Sequence, residues 1–329
     1  MLFRSWESVD RAWPDVATVA DPAGVPHLVV TRHALVKQVL ADAETFRPDN
    51  ALDAMTPIPV TALRVLARHG FRLPPTLANN SSRSHPAIRA TVADALHPKR
   101  VEEQRDWLTA VVRERVARLS AALAAGARVD LYADLAADLP LLVLARLIDL
   151  PAAGVGVVKE FARAALELFW APVDGERQRE LAETVGRFHP VLRDVATSGG
   201  GMAGRLRADG HPPDVVVGAL FFLLVAGQET TSQFLTLLLH RLAGEPPVLA
   251  GLRAGSVAVD DVVEEGLRLE PPIVTWRRVT ARDAVLGGVP VAAGTSVVLW
   301  LARAGRDPAV VDTPGEFRPG QRGSRRHLA

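Results

Sequence analysis

Val215-Val216-Val217-Gly218-Ala219-Leu220-Phe221-Phe222-Leu223-Leu224-Val225-Ala226, continuing into Gly227-Gln228-Glu229-Thr230-Thr231, is the most apolar run in the chain. A bilayer-spanning helix needs about 20 apolar residues. This run meets Gln228 and Glu229 sooner, so it reads as a helix buried inside a protein. Asp214 stands where its carboxylate can cap the first turn, and the helical pattern continues to Leu239. Gly227 weakens the helix by about 1 kcal/mol relative to alanine and lets a neighbour approach the backbone. Thr230 and Thr231 can bond to carbonyls one turn back and bend the helix. Glu229 is costly in apolar surroundings unless it is paired or in use. Taken alone, the segment fits either a kinked helix with a solvent-facing glutamate or a site built on the kink.

Outward from this helix, apolar residues recur at helical spacing over 101–125, ending at Gly126, and over 131–148, interrupted by Pro140. Two more amphipathic helices are predicted over 154–169 and 176–195, with a flexible loop at 198–201. Another helix starts at Asp260 and ends before Pro271 and Pro272. Strand signals are fewer. One is a short β-branched run at 27–31, and the other is a hairpin-like pattern over 285–301, punctuated by Gly287-Gly288 and Gly294. The pattern predicts a mainly α protein, a large helical body with small β-sheets, and no linker divides it. Gly199, Gly201 and Gly204 match a dinucleotide-binding glycine spacing. That site needs a preceding strand, and here a helix precedes it, so an inter-helix loop is the better reading.

Composition narrows the function classes. Of 329 residues, 48% are hydrophobic and 23% charged, ordinary for a globular protein. The formal net charge is +1, which gives no reason to expect nucleic acid or an anionic membrane as partner. There is no cysteine, which removes disulfides, thiolate metal sites and cysteine nucleophiles together. The first ten residues lack the apolar core of a secretory signal, so a cytoplasmic location is expected.

Two further motifs flank the central helix. His85-Pro86-Ala87-Ile88-Arg89 places a histidine and an arginine four apart, which makes either a clamp for a carboxylate or a capping histidine beside a surface arginine. Glu265-Gly266-Leu267-Arg268 places a carboxylate and a guanidinium on one helix face. Most such pairs are solvated and worth under about 1 kcal/mol.

The order of these motifs resembles the cytochrome P-450 family: H-x-x-x-R, then A-G-x-E-T-T in a long apolar helix, then E-x-x-R before two prolines. Agreement continues through Arg278-Val279-Thr280 and Gly294-Thr295. It extends to Arg303-Ala304-Gly305-Arg306-Asp307-Pro308, where glycine replaces the usual asparagine, and to Phe317-Arg318-Pro319-Gly320-Gln321-Arg322. The resemblance implies a single P-450 domain over 1–329, incomplete at the C-terminus. In the family a cysteine-containing loop and a long helix follow the last of these motifs, whereas this sequence runs to Ala329. The implied activity is haem-dependent oxidation of a small, largely apolar molecule, using O2 and electrons from ferredoxin and ferredoxin reductase, without nucleic acid or membrane. The implied cofactor is haem b, lying against Ala226 and Gly227, with Gly227 leaving room for oxygen. His85, Arg89 and Arg278 would bind its propionates, and Glu229 and Thr230 would serve catalysis. Glu265, Arg268 and Arg322 would form a buried structural triad. No protein ligand to the metal is expected within these residues, and the chain alone is expected to be inactive. The competing expectation is a haem-free P-450-like auxiliary protein that activates a partner such as a glycosyltransferase. The intact His85, Arg89, Glu229, Thr230 and Arg278 weigh against it.

Overall fold

The computed structural model describes residues 13–21, 24–75, 77–150 and 154–329; the N-terminal ten residues read for a signal lie outside these. In chain order the elements are β1 (Val16–Ala20), β2 (Pro26–Val30), α1 (His33–Ala41), β3 (Phe46–Arg47), α2 (Val60–Arg68), α3 (His85–Ala95), α4 (Pro98–Glu102), α5 (Arg105–Ala124), α6 (Leu139–Ile148) and α7 (Val155–Trp170). They continue with α8 (Gly175–Ser198), α9 (Gly201–Ala208), α10 (Pro213–Ala243), α11 (Pro246–Ala254), α12 (Val259–Leu269), β4 (Trp276–Thr280), β5 (Ala284–Leu286), β6 (Val289–Val291), β7 (Ser296–Leu299) and α13 (Leu301–Ala304). Helix accounts for 57% and strand for 9%, so the mainly α expectation holds. The chain divides into two compact units, Leu52–Thr236 and Met1–Ala51 with Leu237–Ala329. The second boundary falls inside α10, where no change of composition could have marked it.

In the unit Leu52–Thr236, α10 supplies the centre. Val216, Val217, Ala219, Leu220, Phe221, Leu224 and Val225 are all almost fully buried. Phe161 of α7 stacks on Phe188 of α8 at 4.3 Å between centroids and meets Phe221 edge-on at 5.5 Å. α10 is 31 residues, long and apolar enough to cross a membrane, but 67% of its apolar window is buried within the protein. Three expectations shift here. The helix starts at Pro213, so Asp214 lies in its first turn and acts on the helix dipole rather than as the cap. Pro140 sits at the start of α6, where a missing N–H is harmless. Residues 131–148 therefore split into a π-helical turn, Tyr132–Ala136, and α6. The loop at 198–201 shrinks to Gly199 and Gly200, and α9 follows, with α8 rather than a strand before it.

In the other unit, a five-stranded sheet runs β1-β2-β7-β4-β3. β2 and β7 are parallel, with Val30 beside Leu299, and the remaining pairs are antiparallel. Its core holds Leu28, Val30, Val36, Val39, Phe46, Val297 and Leu299. β5 and β6 form a hairpin whose turn residues Gly287 and Gly288 have φ of 59° and 80°, the left-handed values that this tight turn requires.

Candidate active site

On α10 the Thr230 hydroxyl donates to the Ala226 carbonyl at 2.6 Å, the back-bond its position predicts. Ala226 and Thr230 are half-buried and Gly227 is exposed, whereas Gln228, Glu229 and Ser232 are buried. The helix therefore carries a run of small side chains on an incompletely covered face. Gly227 also has a packing role. A Cβ built on it would lie 3.2 Å from Leu144 Cδ2, so the missing side chain lets α10 approach α6 closely.

Glu229 is 3% exposed and is not alone. Its Oε1 meets Lys159 Nζ of α7 at 2.5 Å and accepts from Gln228 Nε2 at 3.2 Å. Lys159, 6% exposed, also donates to Gln228 Oε1 at 2.5 Å. Arg163, one turn further along α7, has its Nε 3.8 Å from the same carboxylate oxygen. Neither cation was anticipated from the sequence. A signal was present for Lys159. It is one of only three lysines in an arginine-rich chain, and it sits among Val158, Phe161, Ala162 and Ala165 on the buried stripe of α7. A compact ammonium fits such a site better than a forked guanidinium.

His85 and Arg89 lie on α3. His85 Nε2 pairs with the Leu77 carbonyl at 3.2 Å, so this nitrogen carries the hydrogen. Arg89 is exposed.

In the unit of Met1–Ala51 with Leu237–Ala329, Arg278 extends from β4 and is half-buried. Its Nη1 donates to the Arg277 carbonyl at 2.8 Å, and no carboxylate pairs with it among the described residues. Burial pulls its guanidinium below the ordinary arginine pKa. A cation partly stripped of water, with no carboxylate paired to it among the described residues, is able to receive an anion.

Glu265 and Arg268 are 0% and 1% exposed and form a two-pronged pair, with Nε and Nη2 each at 2.8 Å from a carboxylate oxygen. Arg268 also donates to the carbonyls of Gly305, Pro314 and Glu316. The expected third member is elsewhere: Arg322 is exposed and pairs with Asp312 at 2.6 Å. Its neighbour Gln321 takes the inner position, donating to Glu265 Oε1 at 2.6 Å, and the Arg318 N–H and the Ser324 hydroxyl complete the cluster. Burial pushes the Glu265 carboxyl up, but the hydrogen bonds from Arg268, Ser324 and Arg318 outweigh it and hold the group below the usual carboxylate range.

A family model described as cytochrome P450 matches residues 257–321, which run from α12 through the turn carrying Arg318 and Gln321. Cytochrome P450-SU2 of Streptomyces griseolus is 30% identical over 305 residues, covering 92% of this chain and 72% of that protein. The chain belongs to the cytochrome P450 family. The erythromycin C-12 hydroxylase of Saccharopolyspora erythraea is 27% identical over 315 residues, covering 92% and 74%. The solved structure of cytochrome P450 CREJ in complex with (4-ethylphenyl) dihydrogen phosphate superposes with a TM-score of 0.88 at 25% identity, covering 99% of this chain and 82% of that one. Cytochrome P450 proteins are haem-dependent monooxygenases that act on small molecules with a redox partner. Haem bears two carboxylates, and the uncompensated Arg278 fits such a group.

Proposed function

We propose that these residues form the haem-binding and oxygen-handling part of a cytoplasmic monooxygenase. It hydroxylates a small, largely apolar organic molecule and takes electrons from a ferredoxin and its reductase. The observation that carries this reading is the acid–alcohol pair on α10. Glu229 is buried and ion-paired, and Thr230 stands beside it on an uncovered face. Haem, when bound, supplies the iron at which O2 is reduced. Arg278 in the one unit, and His85 and Arg89 in the other, are each suited to a haem carboxylate through charge-assisted hydrogen bonds. With Nε2–H given to Leu77, His85 meets a carboxylate through Nδ1 only when both ring nitrogens carry hydrogen. Glu229 Oε1 is fully engaged, while Oε2 has no partner among the described residues. Oε2 is then the oxygen able to take up and release a proton. The Thr230 hydroxyl spends its hydrogen on Ala226 and keeps its lone pairs for accepting one. The thiolate that ligates iron in this family is not supplied by residues 1–329, which contain no cysteine, so these residues alone are not expected to carry out ordinary monooxygenation. The test is a haemin titration of the chain followed by optical spectroscopy. Haem should bind, Arg278→Leu should weaken binding by about tenfold or more, the loss of one charged hydrogen bond, and the reduced carbon monoxide form should lack a thiolate-type Soret band. Binding that is absent, or unchanged in Arg278→Leu, would count against the haem assignment, and a thiolate-type band would overturn the expected inactivity.

A further inference from the structure

Tyr132 is the chain's single tyrosine, and the backbone that carries it is pinned. It lies in the π-helical turn Tyr132–Ala136, where Asp130 Oδ1 accepts from the N–H groups of Tyr132 at 2.9 Å and Ala133 at 3.2 Å. Asp134 Oδ2 in turn accepts from the Asp130 N–H at 3.0 Å. The phenol oxygen of Tyr132 accepts from Arg163 Nη2 at 2.6 Å, and the guanidinium carbon lies 5.8 Å from the centre of the ring. Arg163 is 53% exposed, and its Nε is 3.8 Å from Glu229 Oε1, too far for a hydrogen bond.

Two cations therefore stand beside one buried carboxylate. Lys159 holds Glu229 at 2.5 Å, while Arg163 waits at 3.8 Å, less than about 1 Å beyond hydrogen-bonding range, tied to a phenol. Released, Arg163 has the stronger claim, because its planar fork can grip a carboxylate with two N–H groups where an ammonium acts as a point charge. We propose that Tyr132 is a positioning residue: it holds Arg163 off Glu229 and so leaves the buried carboxylate to Lys159. Its consequence for chemistry rests on the reading of Glu229 as the proton-carrying acid. With Lys159 as partner, the carboxylate stays anchored by one oxygen and keeps the other free. With Arg163 gripping both, neither oxygen would be free to carry a proton. Tyr132 thus sets whether the acid is available.

The chain has three lysines, which makes the positional claim measurable without haem or turnover. Lys37 and Lys99 are exposed and serve as internal references, while Lys159 is buried against Glu229. The full-length 329-residue chain is treated with N-hydroxysuccinimidyl acetate, and acetylation of each lysine is followed by peptide mass spectrometry. Tyr132→Phe keeps the ring and removes the acceptor. It should raise acetylation of Lys159 roughly tenfold relative to Lys37 and Lys99, the change that follows from losing one charge-assisted hydrogen bond of about 1.4 kcal/mol. Adding Arg163→Gln to Tyr132→Phe removes the competitor and should return Lys159 to its slow wild-type rate. An unchanged rate in Tyr132→Phe overturns the proposal. So does a double variant that stays fast, or a rise at all three lysines, because either reports loosening of the fold rather than competition. Failure of the proton-carrying reading of Glu229 leaves these rates untouched, because they report only which cation holds the carboxylate, so the two can fail separately.

Discussion

Replacing Glu265 by alanine strips five donors at once: two N–H groups of Arg268, the Arg318 N–H, the Gln321 amide and the Ser324 hydroxyl. It also leaves a guanidinium that is 1% exposed without its counter-charge. Removing one partner of a buried ion pair destabilises by about 3–5 kcal/mol. Three carbonyls continue to accept from Arg268, so the lower end applies, about 3 kcal/mol. With a urea dependence of about 2–3 kcal/mol per M, the unfolding midpoint should fall by roughly 1–1.5 M. Arg322→Ala removes only an exposed pair with Asp312 and should change stability by less than about 0.5 kcal/mol. The assay is urea unfolding followed by circular dichroism, with hydrogen exchange over residues 257–269 and 305–326 to localise the effect. The reasoning is refuted if Arg322→Ala destabilises as much as Glu265→Ala, because Arg322 would then belong to the buried cluster. A loss below about 1 kcal/mol for Glu265→Ala would equally refute it.

The same carboxylate carries a pH dependence. Its folded pKa lies below the ordinary value, so its contribution is complete above the unfolded value of about 4.3 and is lost as pH falls through the lower folded value. Urea midpoints should therefore drop more steeply with acidification below about pH 4.5 in the wild type than in Glu265→Gln; parallel curves would remove Glu265 from the account. Gly305 marks a second tight point. A Cβ there would stand 2.6 Å from the Arg268 carbonyl oxygen, so Gly305→Ala should destabilise by about 1–3 kcal/mol in thermal melts. Gly315→Ala, with nothing within 4 Å of its Cβ, should stay within about 0.5 kcal/mol of wild type.

Much of the fold was legible because it rests on local signals. The run at 215–226 could only be buried, and Gly287-Gly288 could hardly be anything but a tight turn. The elements missed or misdrawn depended on tertiary partners. Pro140 looks like an interruption until α6 is seen to begin there, and α9 has too few residues for a clear period. In the site, the motifs marked which carboxylates matter but not which cations hold them. Glu265 was assigned two arginines, one of them displaced by a single position. The backbone after Phe317 turns through Gly320 and Gly323, both at positive φ, with Gln321 facing inward and Arg322 outward. One-residue phase in an irregular segment has no sequence period to reveal it.

Both buried carboxylates nevertheless follow one electrostatic rule. Glu265 takes Arg268 as its cation and fills its remaining lone pairs with an N–H, an amide and a hydroxyl, all neutral. Glu229 takes Lys159 and the amide of Gln228, while Arg163 is kept on the solvent side by Tyr132. A second cation drawn inside beside the first would leave a net positive charge away from water, which is costly, so an outer cation gains either carboxylate only by displacing the inner one. Arg322 on Asp312 and Arg163 on Tyr132 are thus the same solution reached twice. The two differ in how firmly the outer cation is held away. Arg322 has its own carboxylate, whereas Arg163 has a neutral phenol 2.6 Å away and a carboxylate 3.8 Å away. The Glu265 cluster is therefore built to stay fixed, and the Glu229 cluster is the one in which a single side chain can change partners.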